Sequence, residues 1–296
     1  MATWTKKIGY PVVTVTEDGN KLHLKQNRFL KTADVKPEED ETLWPIFVSL
    51  KTKEGIDEDI VFSDRETTLE LKDCEFFKIN ADQAALYRTN YSPERLKKLG
   101  KAAQSGLLSV EDRAGLLGDA GALAVSGYAK TSALLDLVSG FQEEQSFVVW
   151  SELASRLGAI KNAWLFAPEE EKNALKKLQR DLMAPLAHRV GWEFKDDDDE
   201  LTQQLKSLAF GVAGLSGDST VADAAMAMFQ KLTEGDVDAI HPNLRSSVYG
   251  IALQRGENDG EKEVCVGVTV RLVDGISLIS GLVGCRLRPV QERPQQ

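Results

Sequence analysis

Three histidines, His23, His188 and His241, are all the imidazoles this chain has. A hydrolytic zinc centre needs about three well-placed ligands and an open position where water can be activated. Its usual sequence form, H-E-x-x-H, sets two imidazoles on one helix face with the glutamate beside the water. Nothing of that form is present. His23 lies in a strand-like run, His241 precedes Pro242 at a helix start, and His188 is far from both. No residue is therefore assigned as a metal ligand, as a cofactor contact or as catalytic.

The other chemistry-bearing residue types also point to structural roles. Residues 196–200 are five consecutive carboxylates. A calcium loop counted from Asp196 would need Gly at its sixth place and Glu at its twelfth, where Leu201 and Ser207 stand. The run reads instead as a solvated loop that favours the N-terminus of the next helix. No G-x-S-x-G occurs, and none of the three cysteines, Cys74, Cys265 and Cys285, has a motif around it. Cys74 sits among strand residues and reads as a small core side chain. The Gly115–Gly118 and Gly211–Gly214 pairs lack the phosphate-loop lysine and fit close helix packing. Trp150 reads as core rather than a peptide grip. For Tyr87 and Arg88 a substrate clamp is weaker than a junction in which Arg88 meets a carboxylate.

The elements that would carry these residues have two textures. Up to about residue 90 the apolar positions alternate: Val13 and Val15 with threonines, Leu22 and Leu24 with Lys21, His23 and Lys25, Ile46, Val48 and Leu50 with Phe47 and Ser49. Short period-2 runs with turn signals at 17–20 and 53–55 predict a small antiparallel β-sandwich. From Ser92 the period becomes 3.6. Ser92-Pro93 and Ser109 with Asp112 are helix starts. Apolar stripes follow at Trp150, Leu153, Leu157 and Ile160, then at Leu175, Leu178, Leu182, Leu186 and Val190, where Pro185 should kink the helix. Further stripes run through Leu201, Leu205, Leu208 and Val212, and through Val221, Ala224, Ala225, Met228, Phe229 and Leu232. Short loops between them predict an all-α, repeat-like helical array. The resulting division is a β-sandwich over 1–87, a helical domain over 88–256 and an atypical, poorly ordered tail over 257–296.

Composition sets outer bounds. The chain has 296 residues, 42% hydrophobic and 28% charged, with net charge −10. That acidity argues against nucleic acid as a partner. An odd cysteine count without C-x-x-C fits a reducing, cytoplasmic location. The apolar run 264–285 is broken by Arg271 and Asp274, each costing about 3 kcal/mol near a bilayer centre, so no membrane span is expected.

A resemblance joins these pieces. Trp4-Thr-Lys-Lys-Ile-Gly-Tyr-Pro-Val12, Gln26-Asn-Arg-Phe-Leu30, Leu43-Trp-Pro-Ile46, Asn80-Ala-Asp-Gln83, Leu86-Tyr-Arg-Thr-Asn-Tyr-Ser92, Leu108-Ser-Val-Glu-Asp-Arg113 and Glu144-Gln-Ser-Phe-Val-Val-Trp150 follow one another in a specific order. Over about residues 3–256 the chain resembles the C-terminal half of a zinc aminopeptidase of the puromycin-sensitive, alanyl type. That resemblance implies a multidomain β plus α fold in which the sandwich is followed by a truncated helical C-terminal domain. In the complete family enzyme zinc removes N-terminal residues from peptides, and the helical domain walls a closed chamber. The family's zinc, H-E-x-x-H and G-A-M-E-N residues match nothing here. The expectation is a non-catalytic segment, inactive alone, with peptides as partners of the complete enzyme and a tendency to self-associate through exposed inter-domain surface. The other reading of the same residues is a stand-alone helical scaffold.

Overall fold

The clearest alternation builds the first hairpin. In the computed structural model, which describes residues 2–259, a short helix α1 (Ala2–Lys6) leads into β1 (Pro11–Asp18) and β2 (Lys21–Arg28). The two strands pair antiparallel from Pro11↔Arg28 to Asp18↔Lys21 across a two-residue loop. Gly19 at φ +59° gives that loop its left-handed turn. Leu22 and Leu24 point inward and Lys21, His23 and Lys25 outward, as a half-covered strand requires.

Six more strands complete the β part up to residue 78: β3 (Ile46–Phe47), β4 (Leu50–Thr52), β5 (Gly55–Asp57), β6 (Val61–Phe62), β7 (Glu66–Glu70) and β8 (Phe77–Lys78). The last strand, β9 (Arg88–Asn90), lies beyond residue 87. They form sheets in the orders β7-β2-β1-β9, β3-β6 and β5-β4-β8. The expected antiparallel sandwich is corrected in one respect: β9 pairs with β1 in parallel, Val12↔Arg88 to Thr14↔Asn90. The chain returns to β1 through a long excursion rather than a hairpin, and this leaves it running in the same direction. The sheet thus takes one strand from the region assigned to the helical part.

The helical part starts where Ser92 and Pro93 place it. Ser92 Oγ accepts the Arg95 N–H at the start of α2 (Pro93–Gln104). α3 (Val110–Ser126) opens on a reciprocal cap between Ser109 and Asp112. α4 (Thr131–Val138), α5 (Phe147–Ala163), α6 (Glu169–Val190) and α7 (Glu200–Leu215) follow. α2 packs on α4, α3 on α4 and α5, and α7 on α5 and α6. α6 continues through Pro185 to Val190, so the helix is not ended there. Asp199 caps α7 by accepting the Thr202 N–H, which gives the acidic run its structural role.

The stripe expected on α7 is corrected. The buried face is Lys206, Ala209, Phe210 and Ala213, while Leu201 is 53% exposed and Leu205, Leu208 and Val212 are half-buried. Small residues, Ala209 and Ala213, flank Phe210 on that buried face. Phe210 then reaches Trp192 at 5.7 Å between ring centroids.

The chain divides into two compact units at Asp218/Ser219. In the second unit, α8 (Ser219–Thr233) buries Val221, Ala225, Phe229 and Leu232 and packs on α9 (Arg245–Asp259). Phe229 meets Tyr249 edge-on at 6.3 Å. The expected tail lies outside the described residues apart from the last turn of α9.

Candidate functional site

The densest polar constellation sits where the β part meets α3. Lys51 is on β4, Lys78 on β8, Asp82 in a one-turn helix over Ala81–Gln83, and Asp112 in the first turn of α3. Lys78 Nζ lies 2.9 Å from Asp112 Oδ1, and Lys51 Nζ bonds Asp112 Oδ2 and, at 2.8 Å, Asp82 Oδ1. The Asp82 N–H donates to Asp112 Oδ1 at 2.7 Å, and Ser109 Oγ donates to Asp82 Oδ1 at 2.7 Å. Lys78 also donates to the Asn80 and Ile79 carbonyls at 2.6 and 3.2 Å. Every charge in the cluster has a partner, as burial demands.

Burial opposes the charge on each member, and the outcome depends on how many partners answer it. For Asp112, burial would raise the pKa, but the Lys78 charge and hydrogen bonds from Lys51 and Lys78 outweigh it and hold the carboxyl down at about 2. Burial pushes the Lys78 ammonium down, against the pull of Asp112. Burial also lowers Lys51, which is less deeply enclosed, and bonds from two carboxylates leave its pKa raised. The two lysines shift in opposite directions because Lys78 is enclosed with one carboxylate while Lys51 is shared by two.

The backbone around this cluster is strained. Ser49, Asn80, Asp82 and Gln83 all have φ between +43° and +55°. Such conformations cost about 1–3 kcal/mol each and persist where surroundings over-determine them. Here the Asn80 and Ala81 N–H groups donate to the Val48 and Ser49 carbonyls, and the buried Asn80 amide bonds Ala85 and Gln83. Gly115 on α3 leaves room for Gln83: a Cβ there would overlap its side chain.

Further bonds fix the same junction. Arg88 Nη1 is 3.0 Å from Asp119 Oδ1 on α3, and Asp119 also accepts the Thr89 N–H at 3.0 Å. Burial pushes the Asp119 carboxyl up in spite of these partners. Arg88 is thus the junction residue expected from the sequence. Tyr87 is buried and donates to the Val48 carbonyl at 2.8 Å. Tyr10, Phe29 and Tyr128 stack at 5.3 and 5.8 Å beside Leu123 at the other end of α3. Arg95, only 1% exposed, lies over the Phe77 ring at 3.9 Å and binds Glu17 and the Cys74 and Glu75 carbonyls.

The sequence candidates fall elsewhere. His23 is exposed with Nδ1 2.9 Å from Thr68 Oγ1, His188 Nε2 is 3.1 Å from Asp218, and His241 Nδ1 accepts the Asn243 N–H. Among the described residues no group of three or more His, Cys, Asp or Glu is disposed to hold a metal. These residues do not fit a zinc centre. Cys74 is half-buried rather than core, and lies in a loop whose Cys74 carbonyl accepts from Arg95. Trp150 is fully buried and donates to the Glu144 carbonyl. Lys51 and Lys78 escaped the sequence reading. By alternation each falls on the phase opposite its apolar neighbours, Leu50 for Lys51 and Phe77 and Ile79 for Lys78, so no local pattern marked them as buried.

A family model described as the ERAP1-like C-terminal domain matches residues 76–265, more than half of the chain. The chain belongs to that family. The ERAP1-like C-terminal domain match begins at Phe76, so it takes in β8, the Asn80 turn, β9 and Asp112, while Lys51 reaches the cluster from outside it. Aminopeptidase 2 of Candida albicans is 49% identical over 259 residues, 87% of this chain and 28% of that protein. Aminopeptidase 2, mitochondrial, of Saccharomyces cerevisiae is 44% identical over 265 residues, 89% of this chain and 28% of its own length. Glutamyl aminopeptidase of Bitis rhinoceros is 28% identical over 278 residues. The chain spans under a third of the length of these curated relatives.

Proposed function

We propose that the chain is the non-catalytic C-terminal segment of a zinc metallo-aminopeptidase and forms part of the wall of its peptide chamber. In the whole enzyme this segment would receive the distal part of a peptide whose N-terminal residue is removed elsewhere. A closed wall of this kind keeps bulk water from the reaction and excludes folded proteins. The observation that carries the proposal is that 87–89% of this chain matches 28% of the length of two proteins named Aminopeptidase 2. The junction cluster supports it: a wall must hold its shape, and buried ion pairs with a strained, over-determined turn lock α3 onto the β part. Among the described residues no helix is long and apolar enough to cross a membrane. The cysteine usage, an odd count without C-x-x-C, supports a reducing, cytoplasmic location.

Elemental analysis and turnover of an aminoacyl fluorogenic substrate test the reading on the purified chain. The expected result is neither bound zinc nor turnover. Stoichiometric zinc with chelator-sensitive hydrolysis would overturn it.

A further inference from the structure

The outer edge of β7 is unused by its sheet. β7 pairs with β2 and ends the order β7-β2-β1-β9. Two bonds fix the phase of that pairing: the Leu71 N–H donates to the Asn20 carbonyl, and the Gln26 N–H to the Arg65 carbonyl. In an antiparallel pair, residues alternate between exchanging both bonds and turning both groups away. Residues 65, 67, 69 and 71 therefore address β2, and Glu66, Thr68 and Glu70 aim their N–H and C=O groups outward. Against this edge lies a groove of about 750 Å³ whose other wall is the β4–β5 hairpin. Its lining includes the buried Leu71 and Phe76. Glu54, Asp57, Glu70 and Asp73 face Lys53 and Lys72 around it. Lys53 is already engaged by Asp73 and Glu75 at 3.5 and 3.8 Å, so the free charge of the rim is acidic.

We propose that this groove binds an extended peptide segment that adds to β7 as a further strand, with apolar side chains at alternate positions and lysine or arginine between them. Strand addition takes its affinity from main-chain bonds and its selectivity from alternate side chains. The apolar side chains would meet Leu71 and Phe76, and the basic ones Glu54, Asp57 and Glu70. A second copy of β7 is a poor occupant, because antiparallel self-pairing about Thr68 sets Glu66 opposite Glu70, and like charges directly opposite destabilise a ladder. The inference does not depend on the chamber role, since the binding is read on this chain alone.

The test uses the full chain and a C-amidated peptide carrying fluorescein at its N-terminus, Lys-Val-Lys-Val-Lys-Val-Lys, followed by fluorescence anisotropy. Saturable binding is expected, with slowed amide exchange over residues 66–70. Two versions of the peptide, N-methylated at odd or at even positions, block one or the other of its hydrogen-bonding edges. One of them should lose about tenfold or more in affinity, as expected for removing a few ladder bonds. The Glu54→Lys/Asp57→Lys variant changes two exposed side chains and should weaken binding to a similar extent. Thr68→Pro removes an outward N–H that β2 does not use, and it should abolish the exchange protection. Absence of saturable binding at millimolar peptide would overturn the proposal. So would equal affinity of both methylated peptides, which would mean adsorption by charge alone.

Discussion

Asp112 is the residue on which the junction turns. It closes the cap of α3, receives both lysines and accepts the Asp82 N–H. Its pKa, held down at about 2, lies below the ordinary carboxylate value of about 4. A folded-state value below the unfolded one means the stabilisation is complete above about pH 4 and is lost as pH falls towards about 2. Asp112→Asn leaves Lys78 buried without its counter-charge, and breaking a buried pair in this way costs about 3–5 kcal/mol. Urea denaturation should show that loss at pH 7. It should also show a flatter dependence of stability on pH between about 4 and 2 than in the wild type. A variant within about 1 kcal/mol of wild type would mean the cluster is not a lock. The sequence placed Asp112 at a helix start but hid its second role. A cap is a local pattern, whereas partners on β4 and β8 depend on a fold that brings distant residues together.

At the scale of elements, strand alternation and helix starts were legible because they are short-range. β2 shows inward leucines and outward charged residues, and Ser92, Ser109 and Asp199 cap the helices that follow them. What was not legible was set by close approach between elements. α7 buries its alanine-rich face, and β9 crosses back to run parallel to β1. The turn Ser139–Phe141 gives the sharpest case. A Cβ on Gly140 would overlap the backbone of Gly100 on α2, where no side chain can swing aside. Gly140→Ala should therefore destabilise by about 1–3 kcal/mol or more, as overpacking does. Gly158→Ala on α5, where the added carbon meets open space, should be neutral or slightly stabilising through helix propensity. Thermal unfolding of the two variants side by side checks this. Equal midpoints would contradict the close contact.

At the scale of the whole molecule, the proposed role of the described residues is that of framework. One concentration of buried charge, strained backbone and stacked aromatics lies along α3, from Asp112 at one end to Tyr128 beyond the other. Among the described residues no group of three or more His, Cys, Asp or Glu is disposed to hold a metal. The measurement that tests this division of labour most directly is a chimera. Residues 3–256 of this chain would replace the matching part of Candida albicans Aminopeptidase 2, 49% identical to it. The account predicts a chimera that binds zinc and removes N-terminal residues from peptides, and that loses this activity with Asp112→Asn. A chimera that folds and holds zinc yet hydrolyses nothing would contradict it.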